Sequence, residues 1–294
     1  MNLSEFFMKC PLCKNSNFRR LFFLKEISRI NGKRYPLYKC KNCDLVIAYP
    51  NPYKENKSEK IYDDEKNIKF YNSRDKKIEL NSEEYKHYYK NFLPHLKIIK
   101  KYSKKDEKIL DIGCGPGHLL AMLTKKGYKV EGMEISEKLF NALKEKFKVH
   151  LAKVDSRKMK NKKYNFLILN HVLEHIENLE GFVKSLNRLL NNKGRVLIAI
   201  PYIYGLIPNI LRSRWYGLGH GQHLNFFSKK SLKYLFEKEG FRIVEFKILG
   251  ADYTHPLFPN IINKVIETIN NGIVSVGLGD NLFMVAEKVE EIKK

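Results

Sequence analysis

Ile109-Leu110-Asp111-Ile112-Gly113-Cys114-Gly115-Pro116-Gly117-His118 is the stretch on which the fold turns. An apolar run of strand character enters a loop of alternating glycines, and Leu119-Leu120-Ala121-Met122-Leu123 continues as helix. Glycine admits a sharp turn and lets backbone approach a ligand with no Cβ in the way. Such a strand–loop–helix unit binds a nucleoside when an acid stands at the end of the next strand, about 20 residues on. Glu134 holds that place, just after the run Lys129 to Met133.

By itself the loop suits NAD, FAD or S-adenosylmethionine. Asp111 sits within it, where a carboxylate attracts an ammonium group and repels a pyrophosphate. The pattern is G-C-G-P-G rather than G-x-G-x-x-G, and Pro116 removes an N–H that a phosphate cradle would use. These features favour S-adenosylmethionine. Outward from the loop, strands are expected at Ile109–Ile112, Lys129–Met133, Val149–Val154, Phe166–Leu169, Arg195–Ile200, Phe241–Ile248 and Leu282–Ala286, with helices between most of them. That alternation predicts an α/β fold, a parallel sheet with helices on both faces.

The segments I-L-D-I-G-C-G-P-G-H, G-M-E-I-S, Asp155, N-F-L-I-L-N-H-V-L-E-H-I-E-N, G-R-V-L-I-A-I-P-Y, H-L-N-F-F-S-K-K-S-L-K-Y-L-F-E-K-E-G-F and G-D-N-L-F-M-V-A-E-K follow one another between Lys108 and Glu287. In this order they resemble class I S-adenosylmethionine-dependent methyltransferases. The resemblance implies a Rossmann-like sheet of seven strands, mostly parallel with the last antiparallel, over residues 106–294. It implies that Asp111 meets the methionine amine, that Gly113, Cys114, Gly115 and Gly117 surround the cofactor, and that Glu134 binds the ribose. It further places Asp155 near the adenine, and Asn170 and His171 along the cofactor pocket. Asn165 stands where the family often has aspartate, at a position read as structural.

Ahead of this domain lie Cys10-Pro11-Leu12-Cys13 and Cys40-Lys41-Asn42-Cys43. A C-x-x-C pair presents two thiolates at one point, and two pairs on facing hairpins make a tetrahedral zinc site. Four cysteine ligands leave no open position, so such a zinc is structural. A redox pair is the alternative. The unit is expected to span residues 1–52, with strands near Leu21–Leu24 and Leu45–Ala48 and a turn at Asn31-Gly32, ending at Pro50-Asn51-Pro52. Residues 53–105 read as a helical linker or lid, because Tyr85, Tyr88, Tyr89, Phe92 and Leu93 recur at helical spacing. A cysteine unit of this kind before a methyltransferase domain also resembles a subset associated with sugars and surface polysaccharides.

The 294 residues carry 55 Lys and Arg against 32 Asp and Glu, a net charge of +23. The excess points to an anionic partner, or to a Lys-rich composition with a single glutamine, Gln222. The longest apolar stretch, Val196 to Leu211, is interrupted by Pro201, Gly205 and Pro208 and falls short of a spanning helix. With no signal peptide visible, a cytoplasmic location without an integral membrane segment is expected.

The acceptor side is expected between Arg212 and Phe227, after the fifth strand, where ligands bind in open α/β sheets. The stretch holds Arg212, Arg214, Trp215, Tyr216, His220, Gln222, His223 and Asn225 among three glycines. A hydroxyl acceptor needs a base, and a neutral histidine suits that role near pH 7. His223 is the candidate, with His220 and Tyr216 behind it. His171-Val172-Leu173-Glu174-His175 matches the H-x-x-E-H pattern of zinc peptidases, but it follows a strand directly, so that activity is rejected and His175 reads as a packed helix residue. The chain lacks the N/D-P-P-Y/F of amino-methylating nucleic-acid enzymes, and its spare cysteine, Cys114, is in the glycine loop facing the cofactor. A small, anionic acceptor such as a sugar or nucleotide-linked sugar hydroxyl is expected, with RNA, gripped by the zinc unit, as the alternative.

Overall fold

The computed structural model describes residues 8–27, 34–52, 83–153, 159–218, 222–250 and 260–289. Strands and helices alternate through the glycine-loop region as the periodicity predicts. Helix α1 (Glu83–Tyr102) leads into β4 (Lys108–Ile112), α2 (His118–Lys125), β5 (Lys129–Glu134), α3 (Glu137–Leu143), β6 (Val149–Leu151) and β7 (Tyr164–Asn170). Then come α4 (Leu179–Leu189), β8 (Leu190–Pro201), α5 (Leu206–Leu211), β9 (Asn225–Phe226), α6 (Lys229–Lys238), β10 (Phe241–Leu249), α7 (Asn260–Ser275) and β11 (Asn281–Lys288). Seven strands form a mixed sheet in the order β10-β11-β8-β7-β4-β5-β6, with the last strand antiparallel. Strand β4 pairs in parallel with β5 and β7, and β5 with β6.

These strands are apolar on both faces because both are covered. Ile109, Leu110, Phe166, Leu167 and Ile168 are all fully buried. Asn165 is structural, as expected: its side-chain oxygen accepts from the Lys108 backbone N–H at 3.1 Å and ties the starts of β4 and β7 together.

The second sheet has the order β1-β2-β3-β9, with β1 (Phe18–Ile27), β2 (Arg34–Cys40) and β3 (Val46–Ala48). Strands β1 and β3 cover the two expected runs, and with β2, which the sequence reading did not contain, they form an antiparallel ribbon. The turn expected at Asn31-Gly32 lies outside the described residues. Strand β9 then pairs antiparallel to β3, Val46 opposite Phe226 and Ile47 opposite Asn225. The sequence reading did not contain this pairing, because the partners are about 180 positions apart.

The chain forms two compact units. One comprises Met1–Lys54, His171–Val183 and Ile198–Met284; the other comprises Glu55–Asn170, Lys184–Leu197 and Val285–Lys294. The cysteine ribbon therefore shares a unit with the segment after β8. Its core joins Leu37, Val46 and Ala48 to Ile203, Trp215, Leu218 and Phe226. Trp215 is fully buried, and its indole N–H donates to Asp280 at 3.0 Å. A buried tryptophan of this kind contributes of the order of 5 kcal/mol from area alone.

Candidate active site and metal clusters

In the unit that holds the glycine loop, Gly113, Gly115 and Gly117 all have positive φ, at 67°, 52° and 80°. They do different things. A Cβ on Gly117 would meet Leu143 at 2.8 Å, so that glycine allows α2 and α3 to pack. A Cβ on Gly115 would meet no protein atom within 4 Å. Its face is open, as a ligand-binding backbone requires. The Cys114 thiol packs against Leu120 and Leu143, and burial keeps it protonated.

Glu134 is fixed by the backbone. Its Oε2 accepts from the Gly115 N–H at 2.9 Å, and its Oε1 from the N–H groups of Ile135 and Ser136 at 2.8 and 2.9 Å. Asp111 lies nearby, and burial together with the Glu134 charge pushes its carboxyl up to about 8. Two buried acids at an open glycine loop fit a ligand that brings a cation and ribose hydroxyls. Asn170, at the end of β7, accepts through Oδ1 from His95 Nε2 of α1 at 2.7 Å. Sequence reasoning missed His95, because nothing local marks one helical histidine among lysines and tyrosines. Asp155, expected near the adenine, lies outside the described residues.

In the other unit, the two cysteine pairs fold into matching knuckles. The Cys10 carbonyl accepts from the Lys14 N–H at 3.0 Å and the Cys40 carbonyl from the Asp44 N–H at 3.1 Å. Lys14 and Asp44 then take positive φ, 60° and 62°. Cys10 lies opposite Cys43, and Cys13 opposite Cys40, each pair 3.5 Å apart at sulfur. These are free thiols. The spacing is close to the edge of a tetrahedron of sulfurs about 2.3 Å from a zinc ion. Crowding makes the thiols share protons: hydrogen bonding from Cys43 draws Cys10 down, while Cys43 is held up. A divalent cation would relieve that competition.

The same unit contains a histidine–carboxylate cluster. His171 directly follows β7 and has a left-handed backbone, φ 55°. Its Nδ1 donates to Glu174 Oε1 at 3.1 Å, and its side chain is 39% exposed. Glu174 is 1% exposed, yet the surrounding histidines draw its carboxyl down to about 2 against the cost of burial. His223 is buried, not presented to solvent. Its Nδ1 donates to the Gly217 carbonyl at 2.8 Å, its Nε2 is 3.9 Å from Glu174, and burial lowers it to about 3.

Of the other expected acceptor-side residues, His220 lies outside the described residues. Tyr216 is exposed, with its hydroxyl donating to Asn281 at 3.2 Å. Arg212 and Arg214 stand on an exposed 3-10 turn. Trp215 is a core anchor rather than a ligand-facing ring. Ser228 caps α6 as expected, in a reciprocal box with Ser231.

The family model described as "Methyltransferase domain" matches residues 83–246. The chain belongs to this methyltransferase family. The domain is an S-adenosylmethionine-dependent methyltransferase. It is 27% identical over 182 residues to a ubiquinone biosynthesis O-methyltransferase of Pelagibacter ubique, covering 55% of this chain and 76% of that one. It is also 27% identical over 154 residues to a protein of the same name from Rickettsia bellii, covering 48% and 64%. Thus the chain spans just under two thirds of the Rickettsia relative. Among solved structures, the fold resembles a SAM-dependent methyltransferase from Archaeoglobus fulgidus, with TM-score 0.51, 21% identity and coverage of 66% and 92%. It also resembles the 1,6-didemethyltoxoflavin-N1-methyltransferase of Burkholderia thailandensis, with TM-score 0.51, 15% identity and coverage of 85% and 98%. Among the described residues, no helix is long and apolar enough to cross a membrane.

Proposed function

We propose that this methyltransferase carries the cofactor's methyl group to a hydroxyl oxygen of a small, anionic acceptor, with His171 taking the proton. The observation that carries the reading is the His171–Glu174 pair. Glu174 is buried, ionised and hydrogen-bonded to Nδ1, which fixes the ring and leaves Nε2 as its basic nitrogen. A carboxylate behind an exposed imidazole is the arrangement a general base needs. His223, the candidate from sequence, has its Nδ1 committed to a backbone carbonyl and its ring buried, which suits a supporting role. The O-methyltransferase names of the relatives support oxygen as the acceptor atom. Exposed Arg212 and Arg214, together with the net charge of +23, support an anionic acceptor, such as a nucleotide-linked sugar.

In this reading Asp111 holds the methionine ammonium, Glu134 the ribose hydroxyls, and the open face of Gly115 the backbone side of the cofactor. The sulfonium is a good leaving group and departs neutral, so the enzyme's work is positioning plus removal of the hydroxyl proton. His171→Ala is expected to lower methyl transfer by roughly 10²–10⁴ while cofactor affinity stays unchanged. A screen of nucleotide sugars, lipid-linked glycans and RNA with labelled cofactor identifies the acceptor; label entering RNA in a complex that persists at physiological salt would replace this reading.

Cys10, Cys13, Cys40 and Cys43 are proposed to hold one structural zinc. Elemental analysis should find one tightly held zinc at this cluster and its loss in Cys40→Ser. Zinc content unchanged by that substitution would remove the cluster from consideration.

A further inference from the structure

The H-x-x-E-H run supports no peptidase, yet two of its residues meet a third donor from a distant loop. The Glu174 carboxylate and one imidazole nitrogen each from His175 and His223 all lie within 4.8 Å of one another. We propose that Glu174, His175 and His223 form a binding site for a divalent transition-metal ion, separate in chemistry from the four-cysteine cluster.

The ring orientations are those of metal-binding histidines. His175 Nδ1 is 2.9 Å from the Gln222 carbonyl, and His223 Nδ1 is 2.8 Å from the Gly217 carbonyl. A carbonyl can only accept, so each proton sits on Nδ1 and each neutral ring carries its lone pair on Nε2. Histidine ligands are usually oriented by just such a bond from the other ring nitrogen. The rings meet edge to face, with centroids 4.7 Å apart.

Glu174 divides its two oxygens. Oε1 accepts from His171, whereas Oε2 is buried and has no hydrogen-bond partner among the described residues. A buried, ionised oxygen without a donor is costly, and a cation removes that cost. His223 Nε2 faces the other oxygen of this carboxylate, Oε1, at 3.9 Å, too far for a hydrogen bond. Two lone-pair atoms thus face one another across a gap of the size that an ion bridges.

An equilateral triangle with 4.8 Å sides has its centre about 2.8 Å from each corner. Zinc–nitrogen and zinc–carboxylate bonds are about 2.0–2.2 Å, so the three donors need to close in by at most about 0.6–0.8 Å each. Two imidazoles and one carboxylate suit Zn²⁺, Mn²⁺, Fe²⁺ or Co²⁺ better than Mg²⁺ or Cu⁺. Three protein ligands leave coordination positions open, unlike the closed cysteine set. Resting on the methyl-transfer reading, an open position would take the acceptor's hydroxyl oxygen: the O–H bond breaks, the electron pair stays on oxygen bound to the metal, and the proton passes to His171 Nε2. The metal lowers the pKa of that hydroxyl as it does of bound water.

Cobalt tests the site without measuring turnover. The full chain is stripped with a chelator under reducing conditions and titrated with Co²⁺, with metal counted by mass spectrometry. Two equivalents are expected, one with intense near-ultraviolet thiolate charge-transfer bands and one with the weak visible bands of nitrogen–oxygen ligation. Glu174→Gln, nearly isosteric, and His223→Leu should each retain the thiolate equivalent and weaken the other at least tenfold. A single nitrogen–oxygen equivalent would still support this site while removing the cysteine one. A single thiolate equivalent in the wild type, or two equivalents of unchanged affinity in both variants, would overturn the proposal. Because the readout is bound metal, a protein that binds the second equivalent but methylates no hydroxyl breaks the acceptor reading and leaves this one standing.

Discussion

Asp111 and Glu174 are both buried carboxylates, 2% and 1% exposed, and their surroundings drive them in opposite directions. Around Asp111, burial and the neighbouring Glu134 charge push the carboxyl up to about 8. Around Glu174, the hydrogen bond from His171 and the nearby imidazoles draw it down to about 2. At the glycine loop a buried acid thus stands beside a second one, a setting that suits a cationic ligand. The histidine cluster compensates its acid internally and keeps two neutral imidazoles beside it. Burial is equal in the two places; what differs is the partner.

The largest expected effect is a pair of opposed pH dependences. A raised carboxyl pKa means that the folded state binds the proton more strongly than the unfolded one. Asp111 therefore makes the cofactor-free protein lose stability as pH rises from about 4 to about 8, by of the order of a few kcal/mol. Glu174 and His223 do the reverse. Glu174, with its pKa lowered, contributes stability present above about pH 4.5 and lost as pH falls towards 2. His223, held neutral, must gain a proton on unfolding, so stability falls as pH drops from about 6.5 towards 3. Thermal melts of chelator-treated protein across pH 3–9 should show both limbs. Asp111→Asn should flatten the alkaline limb alone and abolish proton release on cofactor binding; an unchanged alkaline limb in that variant would erase the contrast.

A smaller effect sharpens the glycine-loop side. Glu134→Ala removes the acceptor for three backbone N–H groups as well as the proposed ribose ligand. Charge-assisted hydrogen bonds contribute about 1.5–3 kcal/mol, so cofactor affinity should fall by roughly ten- to a hundredfold in calorimetry. Equal affinity in wild type and variant would show that Glu134 only organises the loop.

The smallest effect separates two glycines. Gly115→Ala introduces a Cβ into open space and costs only the left-handed backbone, about 1–2 kcal/mol. Gly117→Ala carries the same strain and also drives a methyl into Leu143 at 2.8 Å. The Gly115 variant should therefore lose more cofactor affinity than stability, and the Gly117 variant the reverse. Matching losses in both variants would mean that the face of Gly115 is not a ligand surface.

Residue order alone dictates the α/β alternation, the glycine loop with acids at Asp111 and Glu134, and the two cysteine knuckles. Each of these is governed by backbone geometry over a few residues, or by a strand–helix–strand unit whose handedness and length are nearly invariant. The family resemblance rests on those same local units. Packing between distant segments is what makes β9 complete the ribbon sheet, Trp215 anchor a core on Asp280, and His223 lie buried beside Glu174 while His171 stays exposed. The H-x-x-E-H letters were legible, but their chemistry depends on a ring from position 223 and on carbonyls at 217 and 222. Composition within a loop shows which groups are present; which of them meet water, and which meet each other, is settled by segments tens of residues apart that pack only once the chain has closed.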